Sequence, residues 1–376
     1  MDFQPLTRFI DRLTAWRIPW AEVIVMHRGE EVFRYRNGFA DLEGKSPIEE
    51  GHIIQLYSMT KIMTCTAALK LVERGDILLG DPLSAYLPEY AEMTVLREDG
   101  GLEKATRPIT VRDLFTMTAG FTYNLNSPSL RELAERTGGR MPTREFAAAL
   151  AKEPLLFEPG TRFNYSLCHD VLGALIEVVD GRRFGDFLRD EIIGPLGMHD
   201  TGFDLPDDKR NRLAPQYEYN ESLGRAVRRD GNNFRLGTEF ESGGAGLYST
   251  AADYVRFLDA LTNRGTSRDG VRILSPSSVD LMRTDHLTTP ALRDGFSWDH
   301  MAGYGYGLGV RTHVSRAASG SLSSLGEFGW QGAAGSLAVM DPEAELTIMY
   351  AQHMLNSQEP YVLPRLRNIV YSCLRK

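Results

Sequence analysis

The sequence predicts an α+β fold: an antiparallel β-sheet formed by the N- and C-terminal segments, flanked by helices and packed against an all-α domain. Three observations carry this. Near the start, AEVIVMHRGEEVFRYRNGFAD sets Val23 and Val25 before, and Val32, Phe33 and Tyr35 after, a turn at His27-Arg28-Gly29-Glu30, the pattern of a hairpin. Near the end, GYGYGLGVRTHV and GWQGAAGSLAVMDPEAELTIMYAQHM give three more β-like runs, with Asp341-Pro342 turning between the last two. Between these ends the periodicity is helical, in VRDLFTMTA, TREFAAALAK, HDVLGALIEVVD, RFGDFLRDEII and ADYVRFLDALTNRG. The expected sheet domain therefore joins residues 1–74 and 300–376, around a mainly helical insert of residues 75–299.

The first element, MDFQPLTRFIDRLTAW, places Phe3, Leu6, Phe9, Ile10 and Leu13 on one face of an amphipathic helix. It lacks the basic start, apolar stretch and small-residue cleavage site of a secretory signal, so a cytoplasmic location is expected. After the hairpin, IMTCTAALKLVERG is apolar nearly all round and stops at Gly75, which predicts a buried helix. Gly243 to Gly246 read GGAG ahead of LYSTAADYV, a loop before a helix capped by Ser249 or Thr250. Without a lysine it does not make a phosphate loop. The final stretch, PYVLPRLRNIVYSCLRK, is expected to be helical beyond Pro364.

Composition narrows the function. A net charge of -8 argues against nucleic-acid binding, and no apolar run is long enough to span a bilayer. Cys65, Cys168 and Cys373 show no metal-like spacing and read as buried free thiols. The eight histidines form no H-E-x-x-H pair, and G-x-S-x-G is absent, so neither a zinc hydrolase nor an α/β-hydrolase is indicated. In Cys168-His169-Asp170 consecutive helical side chains cannot face one another, so His169 is expected to be a packing or surface residue. Nothing in the sequence calls for a metal or an organic cofactor, and the oligomeric state is not legible.

The chemistry centres on Leu56-Tyr57-Ser58-Met59-Thr60-Lys61, which opens the buried helix. There Ser58 meets free backbone N–H groups, and Lys61, three residues on, can fold its amine back toward the hydroxyl. Serine needs such a base, and lysine can act as one only if its pKa falls, which burial is expected to supply. S-x-x-K alone is weak, since about one or two matches arise by chance in a chain of this length.

The wider sequence is more specific. LYSMTKIMTCTAALKLVERGDILLGDPLSAYLPEY, ITVRDLFTMTAGFTY, FNYSLCHDVLGALIEVVDG, IIGPLGMHDTGF, GGAGLYSTAADYVRFLDALTNRG, ILSPSSVDLMR, YGYGLGV and FGWQGAAGSLAVMDPEAEL follow one another in order. Together they resemble the class C serine β-lactamases, the penicillin-recognising peptidases and, most closely, the family VIII carboxylesterases on the same β-lactamase/transpeptidase-like fold. The resemblance implies Ser58 as nucleophile, with Lys61 and Tyr165 moving its protons. It maps the family's Y-x-N element onto Tyr165-Ser166-Leu167 and its K-T-G or W-G-G element onto Trp330-Gln331-Gly332. It further implies an oxyanion hole from the N–H groups of Ser58 and Ala333, and substrate contacts from Trp330, Gln331, Gly332, Leu167, Tyr123 and Phe121.

Two departures bear on substrate. Trp330 carries no charge where a lactamase lysine pairs with a carboxylate, and Leu167 cannot bond an amide as asparagine can. Both favour neutral esters over antibiotics, while Gln331 in place of glycine narrows the cleft or adds a donor and so bears on acyl size; a carboxylesterase on small or medium esters is expected. The expected partner is a small acyl substrate. The alternatives are a β-lactamase, a D-amino peptidase or amide hydrolase, an acyltransferase, or a non-catalytic ligand-binding module. Retention of Ser58, Lys61 and Tyr165 together argues against the last.

Overall fold

The computed structural model describes residues 1–296 and 298–374; Arg375 and Lys376, at the end of the expected terminal helix, lie outside the described residues. β1 (Trp20–His27) and β2 (Glu30–Asp41) form the expected hairpin, turning through Arg28 and Gly29 at φ of 55° and 81°. Two consecutive left-handed residues match the twist of the strands they join. β3 (Ser46–Pro47) borders β2, and the far end of the chain supplies β4 (Tyr304–Tyr306), β5 (Arg311–His313), β6 (Phe328–Gln331), β7 (Leu337–Asp341) and β8 (Leu346–Ala351).

All neighbours are antiparallel, in the order β4-β5-β6-β7-β8-β1-β2-β3. The two chain ends meet at β1 and β8, from Glu22 opposite Ala351 to His27 opposite Leu346. GYGYGLGVRTHV, expected as one run, is two short strands. Gly309 turns between them at φ 82°, where a Cβ would stand 2.3 Å from Cys65 Sγ.

The period-2 alternation of the strands sorts two cores. Val23, Val25, Leu337, Val339 and Ile348 face helices α1 (Gln4–Trp16) and α5 (Glu359–Cys373), meeting Leu6, Ile10, Leu13, Val362 and Leu366. On the other face Ile24, Ala338, Met340, Met349 and Trp330 join the larger core around α2 (Thr60–Arg74) and α3 (Cys168–Asp180). Covering on both faces explains why these strands read as continuous apolar runs.

The middle segment adds short hairpins at Thr94–Leu96 with Leu102–Lys104 and at Gln216–Asn220 with Arg225–Arg229 to its helices. Its helix α4 (Ala251–Thr262) lies against β1, β7 and β8. Of the two expected caps Thr250 is the one used, its hydroxyl accepting from Asp253 N at 3.1 Å. Helix α5 begins at Glu359, five residues before the expected Pro364 start. Pro364 is the sixth residue of this helix and forfeits the bond to Pro360 O, whereas Pro360, in the first turn where N–H groups have no helical acceptor, costs none.

His353 ties the C-terminal segment to the rest: Nδ1 donates to Ala214 O at 3.0 Å and Nε2 accepts from Gln55 N at 3.4 Å. Burial holds its pKa down at about 4, and that of His169 at about 3. Each folded pKa lies below the unfolded value, so the unfolded chain binds more protons as pH falls. Their stabilisation is complete above about pH 6.5 and declines below it by about 1.4 kcal/mol per pH unit for each histidine. In urea titrations, His353→Gln should narrow the stability gap between pH 7 and pH 5 by about 2 kcal/mol. An unchanged gap would show that His353 is not buried neutral.

Candidate active site

The turn into α2 sets Ser58. Tyr57, at φ 47°, holds a left-handed conformation that costs a non-glycine residue about 1 kcal/mol or more, and it bends the chain from the Ile54–Gln55 strand into a short 3₁₀ turn, Tyr57–Met59. A tyrosine is held there because its ring packs edge-on against Phe234 and its hydroxyl bonds Gln216. Ser58 emerges half-buried at the floor of a cleft, in a first turn where backbone N–H groups lack helical acceptors.

Lys61 is fully buried one turn on. Its Nζ lies 3.2 Å from Ser58 Oγ, 2.7 Å from Gly244 O and 3.4 Å from Tyr123 Oη, and 4.6 Å from the Tyr165 ring centre. Burial was expected to lower its pKa. Burial does pull it down, but Tyr123, Tyr165 and the Asp170 carboxylate more than offset that, and the net direction is upward. The site therefore holds an ammonium, and the sequence-based expectation of a neutral amine is corrected. Asp170, pushed up by its own burial and drawn back by Lys61, accepts from Ser242 Oγ at 2.6 Å and Gly244 N at 3.2 Å. Sequence reasoning passed over Asp170 and Gly244. Their signal was the GGAG run, because a Cβ on Gly243 would meet His169 O at 2.2 Å and one on Gly244 would meet Asp170 Oδ2 at 2.6 Å.

Tyr165 precedes α3 and stands between aromatic planes. Its ring stacks on Tyr123 (5.8 Å) and on Trp330 (5.6 Å), and its Oη accepts from Trp330 Nε1 at 3.1 Å. Strand β6 delivers Trp330 and Gln331 to the cleft, and the chain continues through Gly332 to the exposed Ala333, beyond the last ladder pair Gln331–Leu337. Gly332 is required for this approach, since a Cβ would lie 2.5 Å from Leu56 O, two residues before Ser58.

The cleft, about 230 Å³, is lined by Ser58, Tyr165, Trp330, Gln331, Gly332 and Ala333, and also by Trp298, His300 and Glu359. The last three carried no motif. Leu167 and Phe121, expected at the substrate, are instead core residues, 2% and 3% exposed. Leu167 turns inward at the start of α3, and Phe121 packs against Tyr90 at 5.7 Å. Tyr123 is placed against Lys61 and not on the cleft wall. His169, as expected, is a packing residue, its Nε2 meeting Phe115 O at 3.2 Å. Among the described residues no His, Cys, Asp and Glu cluster could hold a metal ion, and no helix is long and apolar enough to cross a membrane.

The sequence model of the Beta-lactamase family matches residues 6–371. The chain belongs to that family. As a Beta-lactamase-family chain it is 36% identical over 325 residues to Protein Rv1367c of Mycobacterium tuberculosis, covering 83% of this chain and 80% of that one. It is 30% identical over 363 residues to Esterase EstB of Burkholderia gladioli, covering 91% and 87%. Among solved structures it resembles EstCE1, a hydrolase with promiscuous acyltransferase activity, with a TM-score of 0.80, 26% identity and coverage of 98% and 99%. It also resembles simvastatin synthase LovD from Aspergillus terreus, with a TM-score of 0.84, 25% identity and both chains fully covered. The expected β-lactamase/transpeptidase-like fold is thus the observed one, in a family whose members are serine hydrolases or acyltransferases.

Proposed function

We propose that the chain is a carboxylesterase-type serine hydrolase that acts through an acyl-Ser58 intermediate on small or medium esters lacking a carboxylate. Ser58 Oγ attacks the ester carbonyl carbon as its proton passes to Tyr165 Oη. The Lys61 ammonium stands 4.6 Å from the Tyr165 ring centre and the Trp330 indole N–H donates to Tyr165 Oη, and the base in this step is the tyrosinate. The N–H groups of Ser58 and Ala333 receive the oxyanion. The proton then moves from Tyr165 to the departing alkoxide as the C–O bond breaks, and water repeats the sequence to free the acid.

The observation that carries the ester reading is Trp330. Where a lactamase lysine would meet a substrate carboxylate, this chain holds a buried indole already committed to Tyr165. The likeness to EstB agrees with it. Parallel turnover of p-nitrophenyl butyrate and a chromogenic cephalosporin tests it, with Ser58→Ala as control. Ester cleavage with little β-lactam opening is expected. Efficient β-lactam opening would move the chain to the lactamase side, and neither activity would leave amide hydrolysis or ligand binding. Transfer of the acyl group to an alcohol is a second reading, supported by the likeness to EstCE1 and LovD. Formation of a new ester when an alcohol is added to the assay would establish it.

A further inference from the structure

The cleft combines two features that go beyond the proton relay. Its wall is aromatic: Trp298 meets Tyr165 edge-on at 5.7 Å and lies tilted to Trp330 at 6.1 Å, so its ring adjoins the edges that the Tyr165–Trp330 stack turns to the cleft. Beside that wall stands a carboxyl, Glu359 at the start of α5, which accepts from Gln331 Nε2 at 3.1 Å. The same amide nitrogen is 3.0 Å from His300 Nε2, so it orients the carboxyl within the cleft. Among the described residues no lysine or arginine pairs with Glu359. Burial raises its pKa to about 7, with the Gln331 bond opposing, as for an acid that lacks a full counter-charge.

Aromatic faces and a carboxylate attract the same kind of group. A ring quadrupole draws a cation to its face, and quaternary ammonium groups are recognised by such walls joined to an acid. A carboxylate taken out of water gains most from an opposite charge brought to it. The net charge of -8 favours the approach of cations and opposes that of anions.

We propose that the Trp298–Trp330–Tyr165 wall and Glu359 form a subsite for a cationic group, so that the esters this enzyme prefers carry an alkylammonium on the acyl or alcohol side. The inference rests on the acyl-hydrolase reading of Ser58 and adds the substrate class. Gln331 positions the acid, and the exposed Trp298 ring, with the cleft-lining edges of Trp330 and Tyr165, takes the alkyl groups around the nitrogen.

The test uses isosteric pairs that differ by one charge. On the acyl side, p-nitrophenyl 4-(trimethylammonio)butyrate is compared with p-nitrophenyl 5,5-dimethylhexanoate. On the alcohol side, butyrylcholine is compared with 3,3-dimethylbutyl butyrate. In at least one pair kcat/KM for the cation should exceed that for its neutral isostere by about tenfold or more, in keeping with a partly desolvated cation–π contact joined to a charge pair. In Glu359→Gln that ratio should fall close to one, and Glu359→Asp should restore part of it. A ratio near one in the unaltered enzyme, or a preference that survives Glu359→Gln, overturns the subsite. Turnover without charge preference leaves the esterase reading standing. If none of the four esters turns over, that reading fails, and the subsite is decided by tetramethylammonium binding followed by tryptophan fluorescence. Saturable binding lost in Glu359→Gln supports it, and no binding overturns it.

Discussion

Ser58→Ala is expected to lower ester turnover by about a thousandfold or more, because no acyl-enzyme can form without the hydroxyl. The fold should barely register the change. Ser58 is half-buried, its hydroxyl takes one hydrogen bond from Lys61 at 3.2 Å, and the ammonium keeps Gly244 O and Tyr123 as partners. The stability loss should stay within about 1 kcal/mol. Intact-protein mass spectrometry after rapid quenching should find one acyl group on the unaltered enzyme and none on the variant. Residual turnover above a few per cent would remove Ser58 as nucleophile.

Lys61→Met, which keeps most of the side chain's volume, is expected to cost activity and stability together. Turnover should fall by about a hundredfold or more, since the proton relay loses its positive charge. The fold should lose about 1–3 kcal/mol, because Gly244 O, 2.7 Å from the ammonium, is left without that donor in the interior. Asp170 loses its nearby cation as well, which adds to the cost. Urea unfolding and steady-state kinetics on one preparation check both parts. A destabilised variant that retained the normal rate would make Lys61 a structural cation only.

What the sequence disclosed follows from what local pattern encodes. The apolar runs of β1, β7 and β8 marked the strands of the sheet, and the three-residue spacing of Ser58 and Lys61 brought the pair together. What it hid depends on groups far apart in the chain. The upward direction of the Lys61 pKa comes from Tyr123, Tyr165 and Asp170, which no window around residue 61 contains. Leu167 sits two residues from Tyr165, yet the start of α3 turns one side chain to the cleft and the other to the core. Trp298, His300 and Glu359 reach the cleft from a loop and a helix start, with no fixed spacing to any motif. The early start of α5 was masked by Pro364, which usually breaks a helix but here removes one bond near its beginning.

The pairing of β1 with β8 also governs how the chain comes into being. Residues 20–27 pair with β2 on one edge but find their second partner in residues 346–351, so on the ribosome the N-terminal hairpin emerges long before the strand that completes it. Until then β1 offers an open edge of backbone donors and acceptors, the template on which nascent chains associate with one another. Cleft-lining Trp330 and Glu359 are likewise added late. The nucleophile is therefore translated early and stays unarmed until nearly the whole polypeptide has been made, and the seam between the two ends can close only once residues 346–351 have emerged.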